Sequence, residues 1–200
     1  METIERSDKQ LWERVRAGDE HAFGVLFERH AERVYNYCFR RIADWAAAED
    51  MVSAVFLEAW RRRADLELTA QDERLLPWLL GVATNLLRRR SRSAARLARA
   101  IRRLDPRGDE ADFADDALAR IADQGRMRTV LSSLGGSSSG EQDVLALHAW
   151  AGLSYEETSA ALGIPVGTVR SRLSRARRLL RTLEHEPTPI TRDEVTNEAR

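Results

Sequence analysis

The sequence predicts an all-α protein made of two small helical domains. Apolar residues recur at three- and four-residue steps along most of the chain, whereas the strict alternation typical of strands is scarce. A length of 200 residues is enough for two compact cores. Hydrophobic residues make up 43% of the chain and charged residues 32%, which is typical of a folded globular protein and argues against wholesale disorder.

Four helices are predicted for the first domain, which covers residues 1–95. Gly18 and Asp19 end a short first helix and begin a second, whose apolar face is Phe23, Leu26, Phe27, Val34 and Cys38. The third helix runs from about Trp45 to Arg63 and has as its apolar face Ala48, Val52, Val55, Phe56 and Ala59. The fourth begins at about Leu75 and carries Leu76, Leu79, Leu80, Ala83, Leu86 and Leu87.

A linker is predicted over residues 96–125, because the stretch 105–124 is acidic and contains few large apolar residues. The second domain covers residues 126–183. It begins with a short helix that is interrupted by a glycine and serine run at 135–140, which predicts a flexible segment. Helices are then predicted over 141–150, 154–162 and 166 to about 182. Residues 184–200 are predicted to form a disordered tail.

Two of these helices have the signals of a helix-turn-helix. Ser154 and Glu157 have the spacing of a capping box, which predicts the start of a helix at this point. Gly163 tolerates a left-handed backbone, and Pro165 does not extend the first helix but leads into the next. A tight turn between two short helices follows from this order of residues.

The last helix separates its apolar and basic residues onto two faces. Val169, Leu173, Ala176 and Leu180 fall within about 60° of one another on a helical wheel, so they are predicted to face the core. The opposite face carries Ser171, Ser174, Arg175 and Arg178, flanked by Arg170 and Arg181. Such a face fits the major groove of DNA. A solvated arginine face is the alternative, but the capping box, the turn and the apolar stripe in one register favour DNA binding.

Charge is distributed unevenly although the net charge is zero. Two basic segments, residues 61–107 with a net charge of +8 and residues 166–183 with +6, lie between acidic stretches. Lys9 is the only lysine, and arginine has a planar donor fork suited to phosphate and to guanine edges. The distribution therefore indicates a nucleic-acid partner.

Several other classes of protein are disfavoured. The chain lacks a phosphate-binding glycine loop, a nucleophile motif and a credible pair of catalytic carboxylates, so neither an enzyme nor a cofactor is expected. A zinc site from His30 and Cys38 would lack two ligands, and no metal is predicted. No segment approaches a membrane span, and the amino terminus is charged where a signal peptide is apolar. A cytoplasmic protein without membrane insertion and with one inert, buried thiol is predicted.

The segment LSYEETSAALGIPVGTVRSRLSRARRLL resembles the carboxy-terminal promoter-recognition region of bacterial extracytoplasmic-function (ECF, group IV) sigma factors. AEDMVSAVFLEAWRRR resembles the helix of that family that binds the polymerase clamp, and LLPWLLGVATNLLRRRSR resembles the helix that handles the melted minus-ten element. The similarity covers about residues 8–95 and 126–183 in the family's order. It implies a region 2 helical bundle and a region 4 helix-turn-helix.

The resemblance implies a role for three groups of residues. The minus-thirty-five element would be contacted by Thr168, Arg170, Ser171, Arg172, Ser174, Arg175 and Arg178. The minus-ten element would be contacted by Arg61, Arg62, Arg63, Trp78, Asn85, Arg88, Arg89 and Arg90, with the loop from 61 to 74 taking up a flipped base. The polymerase clamp would be contacted by Glu49, Asp50, Ser53, Phe56, Leu57 and Trp60. Core packing is an equal alternative for Trp60, and it stays open for Trp78.

The implied function is a non-catalytic sigma factor that directs core RNA polymerase to promoters. Its implied partners are the beta-prime clamp and beta flap of core polymerase, promoter DNA and, in many relatives, an anti-sigma factor. A helix-turn-helix repressor or activator is the nearest alternative, but it leaves residues 8–95 without a role. A helical adaptor that binds only proteins is a second alternative, and it predicts no effect of Arg175→Glu on DNA association.

Overall fold

A computed structural model of the chain describes residues 6–68, 74–104 and 118–185. Within these ranges there is no strand, and the all-α prediction is confirmed. The helices are α1 (Asp8–Arg16), α2 (Glu20–Ile42), α3 (Trp45–Arg61), α4 (Leu76–Leu104), α5 (Leu118–Ser133), α6 (Ser139–Leu145), α7 (Tyr155–Leu162) and α8 (Val166–His185), with a π-helical turn at Ala146–Trp150 between α6 and α7.

Side chains at the helix ends explain where several helices begin. Asp19 accepts a hydrogen bond from the backbone N–H of Ala22, so it caps α2 as predicted. Ser154 and Glu157 form the predicted capping box at the start of α7. Gly163 ends α7 with φ +63°, a left-handed conformation that glycine adopts without a Cβ penalty. The local signals of the helix-turn-helix are therefore confirmed.

The first unit packs α1 to α4 around one apolar core. Trp12 of α1, Leu26 of α2, Val55 of α3 and Leu79 of α4 are all fully buried in it. The indole N–H of Trp12 also donates to the carbonyl of Leu66 at 3.1 Å, which holds the chain after α3 against α1. Each amphipathic face predicted for α2, α3 and α4 thus contributes to the same core, except that Phe27 of α2, predicted to face the core, is 41% exposed.

The second unit is built from α6, the π-helical turn, α7 and α8. Val169, Leu173 and Ala176 of α8 are buried against Val144 of α6 and Leu134, which lies just after α5. The apolar ridge of the last helix therefore faces a core, as the sequence predicts.

The two units are in direct contact, which the sequence does not predict. Leu147 and Leu153 of the second unit are buried in the core of the first. Helix α4 crosses α7 closely at Gly81, where a Cβ atom would lie 2.5 Å from the carbonyl oxygen of Ala161. This glycine is therefore required for the close approach of the two helices.

Helix bounds differ from the predicted linker and flexible run. Helix α4 continues to Leu104, beyond the predicted start of the linker at 96, and α5 begins at Leu118. Residues 105–117 lie outside the described part of the chain, as do residues 186–200 of the predicted tail. Within the glycine and serine run, residues 135–137 form a turn and residues 139 and 140 belong to α6, which Ser138 caps in a capping box with Glu141. The hydrogen bonds between Ser138 and Glu141 order this segment, which composition alone predicts to be flexible.

Thr158→Val is expected to raise the free energy of unfolding of the second unit by about 1 kcal/mol. The Thr158 side chain is fully buried in α7, and its Oγ1 has no hydrogen-bond partner among the described residues. A buried, unsatisfied hydroxyl costs about 1–3 kcal/mol, and valine has nearly the same shape. Urea unfolding followed by circular dichroism measures the change. Thr158→Ser keeps the hydroxyl and is expected to lower the free energy of unfolding. A Thr158→Val variant less stable than wild type would contradict the conclusion that the Thr158 hydroxyl is unsatisfied.

Candidate nucleic-acid interface

Helix α8 presents its polar face to solvent. Arg170, Ser171, Ser174, Arg175 and Arg178 are exposed on it. Thr168 and Arg172, which the sequence places in the same group, are half-buried. Because the opposite ridge of α8 is in the core, this face is available along one side of the helix-turn-helix.

Three of the α8 arginines contact neighbouring groups of the second unit. The Nε of Arg175 lies 3.5 Å from a carboxylate oxygen of Glu141, but the Arg175 side chain is still 55% exposed. The guanidinium of Arg172 lies against Gly140, and that of Arg170 lies 5.5 Å from the ring centroid of Tyr155. The Glu141 side chain is only 16% exposed, so this contact orients Arg175 from the base of α6 while the arginine stays at the surface.

The predicted minus-ten residues fall into two groups. Arg61 and Arg62 at the end of α3, and Asn85, Arg89 and Arg90 on α4, are exposed. Arg63 instead lies over the indole of Trp60 at 4.3 Å, and Trp78 packs against Trp12 with ring centroids 5.8 Å apart. Of the predicted base-binding loop at 61–74, residues 69–73 lie outside the described part of the chain.

Arg88 differs from the other predicted minus-ten residues because it is engaged with the second unit. Its Nε and Nη2 each lie 2.7 Å from Oδ2 of Asp143, a fully buried carboxylate of α6. Arg41 of α2 reaches the other oxygen, with Nη2 2.5 Å from Oδ1. The sequence analysis missed Arg41 and Asp143. One sequence signal could have indicated Asp143. It directly precedes the apolar residues 144–147, and a charged residue beside such a buried run needs a partner.

The predicted polymerase-binding residues of α3 are divided between surface and core. Glu49, Asp50, Ser53 and Leu57 are exposed, and Leu57 is 49% accessible. Phe56 is only 3% accessible and packs against Phe23 and Phe27. Its assignment as a contact residue is therefore corrected: it has helical spacing from the exposed positions but lies on the core side of α3.

Trp60 is half-buried and packs on the ring of Phe23, with centroids 5.1 Å apart. Core packing, the alternative considered for this residue, thus accounts for part of its surface. Together with the exposed Phe27 and Leu57, it forms an apolar surface near the carboxyl end of α3.

A buried carboxylate holds α1, α2 and α4 together, and the sequence analysis missed it. Asp8 accepts a hydrogen bond from the backbone N–H of Leu75 at 3.0 Å and one from Arg29 at 2.7 Å, and it lies 2.8 Å from Nε2 of His30. Burial by itself raises the pKa of Asp8, but the hydrogen bonds from His30, Leu75 and Arg29 outweigh it and lower the pKa to about 2.

The described residues contain no cluster of His, Cys, Asp and Glu arranged to hold a metal ion. His30 is paired with Asp8, and Cys38 is buried in the first core, where desolvation raises its pKa to about 12. A thiol with that pKa is a poor metal ligand. In the same part of the chain, no helix has the length and apolarity required to span a bilayer.

Both units match known protein families. Residues 26–97 match the family described as Sigma-70 region 2, and residues 138–180 match the family described as Sigma-70, region 4. The RNA polymerase sigma factor CarQ of Myxococcus xanthus is 34% identical over 171 residues, which cover 86% of this chain and 94% of CarQ. The ECF RNA polymerase sigma factor SigK of Mycobacterium ulcerans is 30% identical over 181 residues, which cover 88% of this chain and 94% of SigK.

Two solved structures share the fold of this chain. The structure of CnrH in complex with the cytosolic domain of CnrY is similar with a TM-score of 0.66 at 26% identity, and the match covers 92% of this chain and 100% of that chain. The sigma factor RpoE of Bartonella quintana, solved with the anti-sigma factor NepR, has the same fold with a TM-score of 0.59 at 23% identity, over 82% of this chain and 98% of that chain. The chain belongs to the extracytoplasmic-function family of RNA polymerase sigma factors.

Proposed function

We propose that this chain brings core RNA polymerase to promoters, with α8 contacting the minus-thirty-five element and the first unit contacting the minus-ten element and the polymerase clamp. The observation that carries the proposal is the division of α8 into a buried aliphatic ridge and an exposed face of serines and arginines. An exposed arginine can form a bidentate contact with guanine while its neighbours hold phosphates. The chain would act in the cytoplasm, as an initiation factor that catalyses no reaction itself.

The first unit supports the remaining contacts of the proposal. Asn85 and Arg89, about one turn apart, form an exposed polar strip on α4, and Arg90 is exposed one residue further on; this strip suits the backbone and unpaired bases of a melted strand. Glu49, Asp50, Ser53 and Leu57 are exposed on α3 and would contact the clamp. A helix-turn-helix repressor would use α8 in the same way but would leave these surfaces of α3 and α4 without a partner.

Run-off transcription with core polymerase, with and without the chain, tests the proposal. We expect added, promoter-specific transcripts only when the chain is present, on templates that carry a candidate minus-thirty-five and minus-ten pair. A template with the minus-thirty-five element scrambled is the matched control. Absence of added initiation over a set of candidate promoters, together with specific duplex binding by the chain alone, would favour the repressor instead.

A further inference from the structure

The contact between the two units is centred on one buried carboxylate. Asp143 of α6 is fully inaccessible, and each of its two oxygens is held by an arginine of the first unit, Arg41 of α2 and Arg88 of α4. A carboxylate without partners is unstable in such a place, so the two guanidiniums are what permit its burial. The arginines belong to helices that pack against each other in the first unit, so they remain together if the second unit moves away.

We infer that Arg41 and Arg88 form a binding site for a DNA backbone phosphate, and that Asp143 occupies this site when the two units are in contact. This inference rests on the proposed function. A phosphate resembles the carboxylate in its negative charge and in the spacing of its oxygens, and arginine forks bind both groups. The phosphate offers more acceptor oxygens, and the buried Nε of Arg41 has no hydrogen-bond partner among the described residues.

The position of the site favours DNA as the source of the phosphate. Arg88 is half-buried on α4, next to Arg89 and Arg90 in the sequence and one helical turn from Asn85, and these three neighbours are exposed. A strand held along this strip would pass beside Arg88. In the contacted state the Arg41 side chain is only 11% exposed and Asp143 excludes a phosphate from it, so the strand and the carboxylate compete.

Other contacts stabilise the state in which the site is occupied. Arg40 donates to the carbonyl of Trp150 at 3.0 Å, and Arg74 forms an ion pair with Glu157. The close crossing of α4 and α7 at Gly81 adds packing. The apparent DNA affinity of the free chain is then the affinity of the open state multiplied by the fraction of molecules in which the units are apart.

Asp143→Asn removes the competing charge and is the first test. In the full chain without polymerase, we expect it to tighten binding of a fluorescein-labelled single-stranded minus-ten oligonucleotide about tenfold by anisotropy, through a larger open fraction. The slope of log affinity against log salt concentration should steepen by about 0.7, as for one added phosphate contact on a single strand. Small-angle scattering should give a larger radius of gyration. Asp123→Asn is the matched control, because it makes the same charge change at an exposed pair with Arg126.

Gly81→Ala is the second variant, and it opens the contact without changing charge. Its Cβ would meet the Ala161 carbonyl, so the units are pushed apart while a helix-favouring residue is introduced. We expect tighter oligonucleotide binding here too, even if Asp143→Asn proves unable to fold by circular dichroism. Adding Arg41→Ala to either variant should abolish the gain, whereas adding Arg128→Ala, at an exposed residue of α5, should retain most of it.

Any one of three results would overturn the inference. Gly81→Ala could expand the chain without tightening oligonucleotide binding, or Asp143→Asn and Asp123→Asn could raise the oligonucleotide affinity equally. The third is that Arg41→Ala, added to either variant, leaves the increase in affinity unchanged. Run-off transcription by the wild-type chain with core polymerase is measured in parallel. Promoter-specific transcripts with any of these three results would reject the phosphate site and leave the proposed function standing. Failure of the wild-type chain to direct initiation would reject the proposed function itself.

Discussion

Replacing Arg175 with glutamate is expected to lower promoter-specific transcription by core polymerase at least about tenfold. A bidentate arginine contact with a base contributes about 1–3 kcal/mol to discrimination, and a carboxylate in its place also repels the phosphates of the groove. Arg175 is on the exposed face of α8, and its 3.5 Å contact with Glu141 leaves 55% of the Arg175 side chain accessible. Run-off transcription on a promoter template measures the change.

Arg128→Glu is the matched control for this variant, since it makes the same charge reversal at an exposed residue of α5 away from α8. Arg175→Ala removes the arginine contact with the base without adding a carboxylate that repels the DNA phosphates. It is expected to relax the sequence preference at one position of the minus-thirty-five element. Equal losses for Arg175→Glu and Arg128→Glu would indicate a general charge effect. In that case α8 would not be the reading helix.

Asp8→Asn is expected to lower the free energy of unfolding at neutral pH by about 2 kcal/mol. The carboxylate is 9% exposed and joins α1 to Arg29 and His30 of α2 and to the backbone of Leu75 at the start of α4. Its pKa in the folded chain is about 2, against an ordinary 3.8, and a difference of this size corresponds to about 2 kcal/mol in favour of the folded state. Urea unfolding of the two proteins at neutral pH gives the difference.

The effect of Asp8→Asn should depend on pH in a defined direction. Because the folded pKa is lowered, the stabilisation from Asp8 is present above about pH 4 and is lost as the pH falls towards 2. The difference in unfolding free energy between wild type and Asp8→Asn should therefore narrow over that interval. Asp65→Asn, at an exposed pair with Arg62, is the control and should change stability little at any pH. The pKa of Asp8 is about 2 in the folded chain, so the difference in unfolding free energy between wild type and Asp8→Asn must change between pH 5 and pH 2. A difference that stays constant over this range would contradict the role of the ionised carboxylate.

Much of the fold follows from signals that act over a few residues. The capping box at Ser154 and Glu157 and the left-handed Gly163 set the start and end of α7 in the structure, as the sequence predicts. The stripe of Val169, Leu173 and Ala176 is buried as predicted. Such signals can be read from sequence because a helix brings residues i, i+3 and i+4 together whatever surrounds it.

The sequence by itself therefore determined the helical class, the helix-turn-helix and the exposed arginines of α8. Tertiary structure alone decided which charges became buried partners: Asp143 meets Arg41 across 102 positions and Arg88 across 55, and Asp8 meets Leu75 across 67. The packing of α2 on α3 likewise places Phe56 in the core, against Phe23 and Phe27. Contacts between distant segments depend on how helices pack against one another, and periodicity within a single helix does not contain that information.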